Sequence, residues 1–510
     1  MIRKSALLII LIVGIIGCQS QKEIEPIDLS ELTITKIHEA FQDERFTSEQ
    51  LTRAYLNRIA EFDGGINSIS AINPEAISIA KQLDLEYQKT GVLRPLHGIP
   101  IIIKDNINTS GLPTTAGALA LKDFIPEENA FVINKLVKAG AIILAKSNMA
   151  EWAFSPMHTE SSTNGTTHNP YNLDYVPAGS SGGTAASIAS NFGTVGLGTD
   201  TGNSIRGPSS HCALVGFRTT LGLISRSGIV PLFLRNDVVG PMCRTVEDAT
   251  RVMEVMVGYD PEDQITKHSQ GKTYTNYQQF LIKDGLKGAR IGVLRELSDH
   301  NIDPEVKALF EQSIIDLDSL GAEIIDPLDI PDFSALRQNQ WCGTFRKDVE
   351  SYLATYVKRD SIKTVEDIIS IGSSSQFSKD RLTAYASQNG RWGNAEAECG
   401  DAYLDTKRIA FREAIENVMD SLNIDALVYP SWNSKPARIR FFEEEYQGDN
   451  NQIISPHTGQ PAFTVPMGYT STNLPAGIQF LGRMYDEPIL IKLAYSYEKG
   501  TNHRKQPVLK

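Results

Sequence analysis

The sequence predicts an α/β protein, specifically an α/β/α sandwich, and three observations carry that prediction. Short β-branched runs bounded by turns recur along the chain, as expected of strands buried on both faces. Stretches with apolar residues every three or four positions alternate with them, the period of a half-buried helix. Glycines such as Gly140 and Gly321 stand where one pattern gives way to the other, the position of a helix stop. A chain of 510 residues buries such a core without disulfide staples.

Taken in order, helical periodicity opens at Ile34, Ile37 and Phe41 and returns after Thr47-Ser48 with Leu51, Tyr55, Ile59 and Phe62. Asn73-Pro74, a cap followed by proline, predicts another helix. Gly98 to Lys104 reads as a buried strand, Ala130 to Ala139 as a helix and Ile142 to Ala145 as a second strand, a right-handed parallel crossover. The same grammar returns with strand Arg290 to Leu294, helix Pro304 to Leu320 and strand Glu323 to Ile325. Helix Phe411 to Leu422, strands Ala426 to Tyr429, Ala462 to Val465 and Ala476 to Leu481, and a closing helix from Glu487 to Glu498 complete it. Between them, residues 341–400 read as a mostly helical, polar excursion over the sheet.

The first eighteen residues read as a targeting segment. Arg3 and Lys4 precede an apolar stretch from Ser5 to Ile16, too short for a stable membrane span. Ile15-Ile16-Gly17-Cys18 resembles a bacterial lipobox, in which the cysteine is lipidated and becomes the mature N-terminus. The expectation is a signal peptide over 1–18, a flexible tether over 19–30 and a body over 31–510, exported and lipid-anchored to the cell envelope. The 49 Lys and Arg against 61 Asp and Glu leave a net charge of −12, which repels phosphate backbones and argues against a nucleic-acid partner. The remaining cysteines, Cys212, Cys243, Cys342 and Cys399, match no framework spacing and are expected as buried free thiols. The nine histidines show no ligand spacing, so no metal and no cofactor are expected.

Chemistry concentrates between Pro177 and Pro208, in PAGSSGGTAASIASNFGTVGLGTDTGNSIRGP. A helix from Gly183 to Ser190 spans roughly 12 Å, and a strand from Thr194 to Gly198 about 16 Å. A reversal at Asn191 to Gly193 makes the strand retrace the helix, so Ser180 and Ser204 return to one end of the sheet. The turn from Thr199 to Ser204, ahead of a helix starting at Pro208-Ser209, presents consecutive small residues whose N–H groups suit an oxyanion hole; a phosphate-binding nest is the competing use. A serine needs a base, and Lys104 stands at the end of its strand, where α/β sites gather. Strand alternation sends Asp105 to the opposite face. Gly179-Ser180-Ser181-Gly182-Gly183 also fits G-x-S-x-G, but the loop before it is no nucleophile-elbow strand, which argues against Ser181.

At these residues the chain resembles the amidase signature family of serine hydrolases. GIPIIIKDN, AKSNMAEWAFS, NPYN, PAGSSGG, GTDTGNSIRGP, GPMCRTVEDA, GQPAFTVPMGY and PAGIQFLGR carry the resemblance from about residue 30 to the C-terminus. It implies a mixed, twisted sheet and a triad of Ser204 as nucleophile, Ser180 as the serine bearing a cis peptide and Lys104 as base. It also implies an oxyanion hole from the N–H groups of Thr201, Gly202, Asn203 and Ser204. Ala178 and Asn203 stand where the family usually has glycine; the first is a small change and the second tolerates left-handed dihedrals. The implied activity is hydrolysis of a small-molecule or peptide amide. An amidotransferase-type A subunit is disfavoured by export and acidity, and an inactive surface-binding lipoprotein by the intact triad. Trp152, Phe154, Met157 and the 341–400 excursion are candidate pocket walls.

Overall fold

The computed structural model describes residues 27–387, 390–391 and 398–509. Cys18 and the first part of the tether lie outside the described residues. Among the described residues, no helix is long and apolar enough to cross a membrane.

Eleven strands form one mixed sheet. In chain order they are β1 (Ile69–Ile72), β2 (Pro100–Lys104), β3 (Ile142–Ser147), β4 (Val195–Asp200), β5 (Val215–Arg218), β6 (Val238–Cys243), β7 (Arg290–Val293), β8 (Glu323–Ile325), β9 (Ala426–Pro430), β10 (Ala462–Tyr469) and β11 (Pro475–Leu481). Across the sheet the order is β1-β3-β2-β4-β6-β5-β10-β11-β9-β7-β8. Strand β2 runs parallel to β3 and β4, whereas β4 meets β6 antiparallel. Every residue of β2, β3 and β4 is buried, which explains their unbroken apolar runs. The β2–β3 crossover passes through helix Phe131–Lys138, ended by Gly140 at φ 95°.

Three strands were not expected. Strand β1 pairs with one neighbour only and is half-exposed, so its pattern is weak. Strands β5 and β6 are interrupted by Gly216, Gly240 and Pro241. Proline is normally kept from sheet interiors because it cannot donate to the ladder, but β5 pairs only with Met242 and Cys243 of β6.

Near the Gly/Ser-rich segment, the helix is Gly182–Ala189, β4 extends two residues past Gly198, and the following helix begins at Arg206 rather than Pro208. Thr199 and Asp200 therefore belong to the strand. The Gly182–Ala189 helix is wholly buried, and a Cβ on Gly183 would stand 2.1 Å from the carbonyl oxygen of Asn148. Only glycine permits that approach. At the opposite end of β4, Glu31 N donates to Asn191 Oδ1 at 3.4 Å, and Arg244 donates to the carbonyls of Leu32 at 2.5 Å and Gly193 at 2.8 Å. The chain thus enters the fold where β4 begins.

Residues 341–400 include helices Phe345–Tyr352, Val365–Ile371 and Gln376–Ser387 and a strand pair, Cys342–Gly343 with Gly390–Arg391. Their apolar faces close a second core with Trp152, Phe154 and Phe233. Cys342 and Cys399 form a disulfide, while Cys212 and Cys243 are free and buried. The expectation of four free thiols is corrected for the first pair: their spacing of 57 residues matches no framework, and the fold alone brings them together.

Candidate active site

Lys104, the last residue of β2, is buried with its amine turned toward β4. Its Nζ lies 2.7 Å from Ser180 Oγ, 2.8 Å from Thr199 Oγ1 and 3.4 Å from the Thr199 carbonyl. Asp105 faces the other way, accepting from the Thr115 hydroxyl and lying 3.8 Å from Lys146, as alternation requires. The Gly179–Ser180 peptide is cis. Ser181 Oγ exchanges hydrogen bonds with the backbone of Thr199 at 3.2 and 3.4 Å, so this hydroxyl is committed to tying the helix start to β4.

Burial drives the Lys104 amine down to about 7, opposed by the charges of Asp200 and Asp237. Removing an ammonium from water disfavours its charged form, and among the described residues no carboxylate contacts this one. Burial also opposes ionisation of Asp200, but Arg206 and Arg218 hold its carboxyl at about 2. Arg206 Nε lies 3.0 Å and Arg218 Nη1 2.8 Å from that carboxylate. Arg206 also donates to the Gly202 carbonyl at 2.7 Å and the Asn451 carbonyl at 2.8 Å, which pins the turn from inside.

Within the described residues, the backbone N–H groups of Gly202, Asn203 and Ser204 carry no hydrogen bond to a protein acceptor. Consecutive unpaired donors on a fixed turn form a preorganised site for negative charge. Thr201 is held by its side chain, which donates to Asp237 Oδ1 at 2.5 Å. Ser204 Oγ lies 3.4 Å from Asn203 Oδ1, and among the described residues no hydrogen bond joins it to Ser180. Of the three expected residues, Lys104 and Ser180 are joined by a hydrogen bond, and among the described residues Ser204 is joined to neither.

Ser204 lies at the wall of a cavity of ≈ 200 Å³ with Thr201, Gly202 and Asn203. Phe154, Leu232, Phe233, Trp341 and Tyr385 supply apolar surface, and Arg381, Tyr446 and Gln452 polar groups. Gln452 Nε2 donates to Tyr446 Oη at 2.5 Å and Asp449 Oδ2 at 3.2 Å. Its Oε1 is turned toward Gly202, 2.9 Å from where a Cβ would stand. Of the expected walls, Phe154, Trp341 and the excursion reach the cavity. Trp152 does not: its ring packs edge-on against Phe345 at 6.1 Å in the second core. Met157 is likewise buried without lining the cavity.

Sequence reasoning did not single out Thr199, Asn106, Asp200 or Arg206. Asn106 Nδ2 donates to Thr199 Oγ1 at 3.1 Å, so it orients the hydroxyl beside Lys104. Opposite charges at Asp200 and Arg206, flanking a turn of small residues, were the available signal for a buried ion pair.

A family model described as Amidase matches residues 50–491. The chain is 33% identical over 504 residues to a probable amidase of Arabidopsis thaliana, covering 94% of this chain and 92% of that protein. It is 34% identical over 501 residues to the A subunit of the glutamyl-tRNA(Gln) amidotransferase of Thermoanaerobacter pseudethanolicus, covering 94% and 98%. Its fold is similar to the native peptide amidase of Stenotrophomonas maltophilia, with a TM-score of 0.82, 30% identity and 94% and 99% of the two chains covered. With a mixed sheet flanked by helices and a match across most of its length, the chain belongs to the amidase family and is an amide-hydrolysing enzyme.

Proposed function

We propose that this enzyme cleaves a carboxylic amide through an acyl-enzyme on Ser204, with Lys104 and Ser180 as its proton relay. The reading is carried by the buried 2.7 Å contact between Lys104 Nζ and Ser180 Oγ, at the sheet end where Ser204 and the unpaired N–H groups face the cavity. With Lys104 neutral, Ser180 O–H donates its proton to Nζ, and Ser180 Oγ takes the proton of Ser204. Ser204 Oγ attacks the carbonyl carbon, and the developing oxyanion meets the N–H groups of the 201–204 turn. Collapse breaks the C–N bond, the relay returns a proton to the departing amine, and water then cleaves the ester to release the acid. Treatment with a fluorophosphonate followed by peptide mapping should place one adduct on Ser204. Ser204→Ala should abolish ammonia or amine release from an amide library, and an adduct on Ser180 or Ser181 would overturn the assignment.

The enzyme is further proposed to act outside the cytoplasm, held to the envelope through Cys18. The Cys342–Cys399 disulfide supports this, since such bonds persist in oxidising compartments. The 34% identity to an amidotransferase component favours a second reading, ammonia delivery to charged tRNA. That would require the cytosol, where neither the disulfide nor the leader fits.

A further inference from the structure

We infer that the amide taken by this site carries a carboxylate, seated against Arg381; the inference rests on the reading of Ser204 as the reacting residue of the cavity. Arg381 lies on helix Gln376–Ser387 and lines the cavity with Ser204. Its guanidinium sits 5.2 Å from the Phe377 ring centre and interacts with the Tyr385 side chain. Neither neighbour neutralises its charge. Among the described residues, no carboxylate lies within ion-pair distance of Arg381.

Three other arginines around the cavity have carboxylate partners, whereas buried Arg408 is held by the Arg235 carbonyl and Asn236 and does not line the cavity. Arg206 pairs with Asp200 at 3.0 Å, Arg235 with Asp405 at 2.7 Å, and Arg346 with Glu366 at 2.6 Å. Asp449, behind the cavity wall, accepts from Tyr446 at 3.0 Å, Gln452 at 3.2 Å and Asn451 at 3.0 Å. Asp449 does not itself line the cavity. Among the described lining residues Arg381 carries the one charge, set against aromatic walls. A guanidinium fork matches a carboxylate through two parallel N–H···O bonds, and apolar surroundings strengthen the attraction. The volume of ≈ 200 Å³ suits a compact substrate with an aromatic body, an anionic end and the scissile amide at the other end.

The test compares 3-(4-carboxyphenyl)propanamide with 3-phenylpropanamide. The wild-type enzyme should prefer the carboxylate in kcat/KM by at least about tenfold, roughly what one charge-assisted pair supplies. Arg381→Gln should bring that ratio close to one, chiefly through KM, and Arg381→Lys should retain part of it. Calorimetric titration of Ser204→Ala with both amides reads the same preference without turnover. Equal binding of the two amides, or a preference that survives in Arg381→Gln, would overturn the inference. Turnover by Ser204→Ala would instead overturn the acyl-enzyme reading, while the binding ratio still judges Arg381.

Discussion

Two lysines are buried side by side at the centre of this protein, and their partners separate their uses. Lys146 on β3 donates to the Ile107 carbonyl at 2.6 Å and to Thr114 Oγ1 at 2.9 Å, and burial lowers its amine to about 8 despite Asp105. Its donors end on fixed structural acceptors, whereas Lys104 meets the Ser180 hydroxyl next to Thr199, the strand residue that leads into the Ser204 turn. Folded, Lys104 loses its proton at about 7 rather than the 10.5 of a solvated lysine. The native state then binds fewer protons than the unfolded chain between those values, so this group's contribution to stability rises with pH across the interval. Below about 7 its burial penalty is fully present. Lys104→Met should raise the urea midpoint at pH 6.5, with the advantage narrowing toward pH 10; a midpoint lower at every pH would show that the lost contacts to Ser180 and Thr199 dominate. In the wild type, kcat/KM should fall as pH drops through about 7, because an ammonium cannot accept the Ser180 proton. The two departures from family glycines also change places at this scale. Ala178 adopts φ 61°, a left-handed conformation unfavourable for alanine by about 1 kcal/mol. Asn203 is not among the residues with positive φ, so its tolerance is not called upon.

At the scale of elements, the legible parts were those with one strong period. Strand Glu323–Ile325 and the start of helix Pro304–Ser319, where Asp303 caps the chain through Glu305 N at 2.8 Å, follow directly from apolar spacing and cap chemistry. Strands β5 and β6 were hidden because partners, not propensity, hold Gly216, Gly240 and Pro241 in the sheet. Pairing with β6 also carries β4 through Asp200, and that placed Thr199 beside Lys104 when the small residues pointed to a turn. The excursion gave its helical character through composition but concealed its staple, since contact between Cys342 and Cys399 depends on the tertiary path of the intervening chain. Closing a loop of that length restrains the unfolded chain by about 4 kcal/mol in the entropic view. Trp341 adjoins one cysteine, and Arg381 and Tyr385 lie within the closed loop. Dithiothreitol, or paired Cys342→Ser and Cys399→Ser changes, should therefore raise KM more than they lower kcat. They should also open residues 341–400 to limited proteolysis before the sheet unfolds. Unchanged KM and an unchanged cleavage pattern would show the bond to be dispensable.

At the scale of the molecule, the residues of the proposed relay come from β2, from the turn after β4, and from the segment entering the Gly182–Ala189 helix. A single sheet end collects them, and that convergence was readable from the Ser180 to Ser204 spacing. The cavity's far walls were not, because Phe233, Tyr446 and Gln452 come from segments with no periodic signal. If Cys18 carries the lipid, Cys18→Ala that is processed normally should move from the membrane to the soluble fraction with kcat/KM for a water-soluble amide unchanged; membrane retention of the processed variant would count against the anchor. The unchanged rate follows from where the chain joins the body. Glu31 and Leu32 dock at the beginning of β4, and Ser204 lies beyond its end, about 20 Å away for six residues of strand. The point where the chain joins the body and Ser204 stand at opposite ends of β4, so an attachment ahead of residue 27, if it is there, leaves the cavity unobstructed. Under that proposal substrates would reach the site from the surrounding fluid, and a protease cutting ahead of Glu31 would set free a working enzyme.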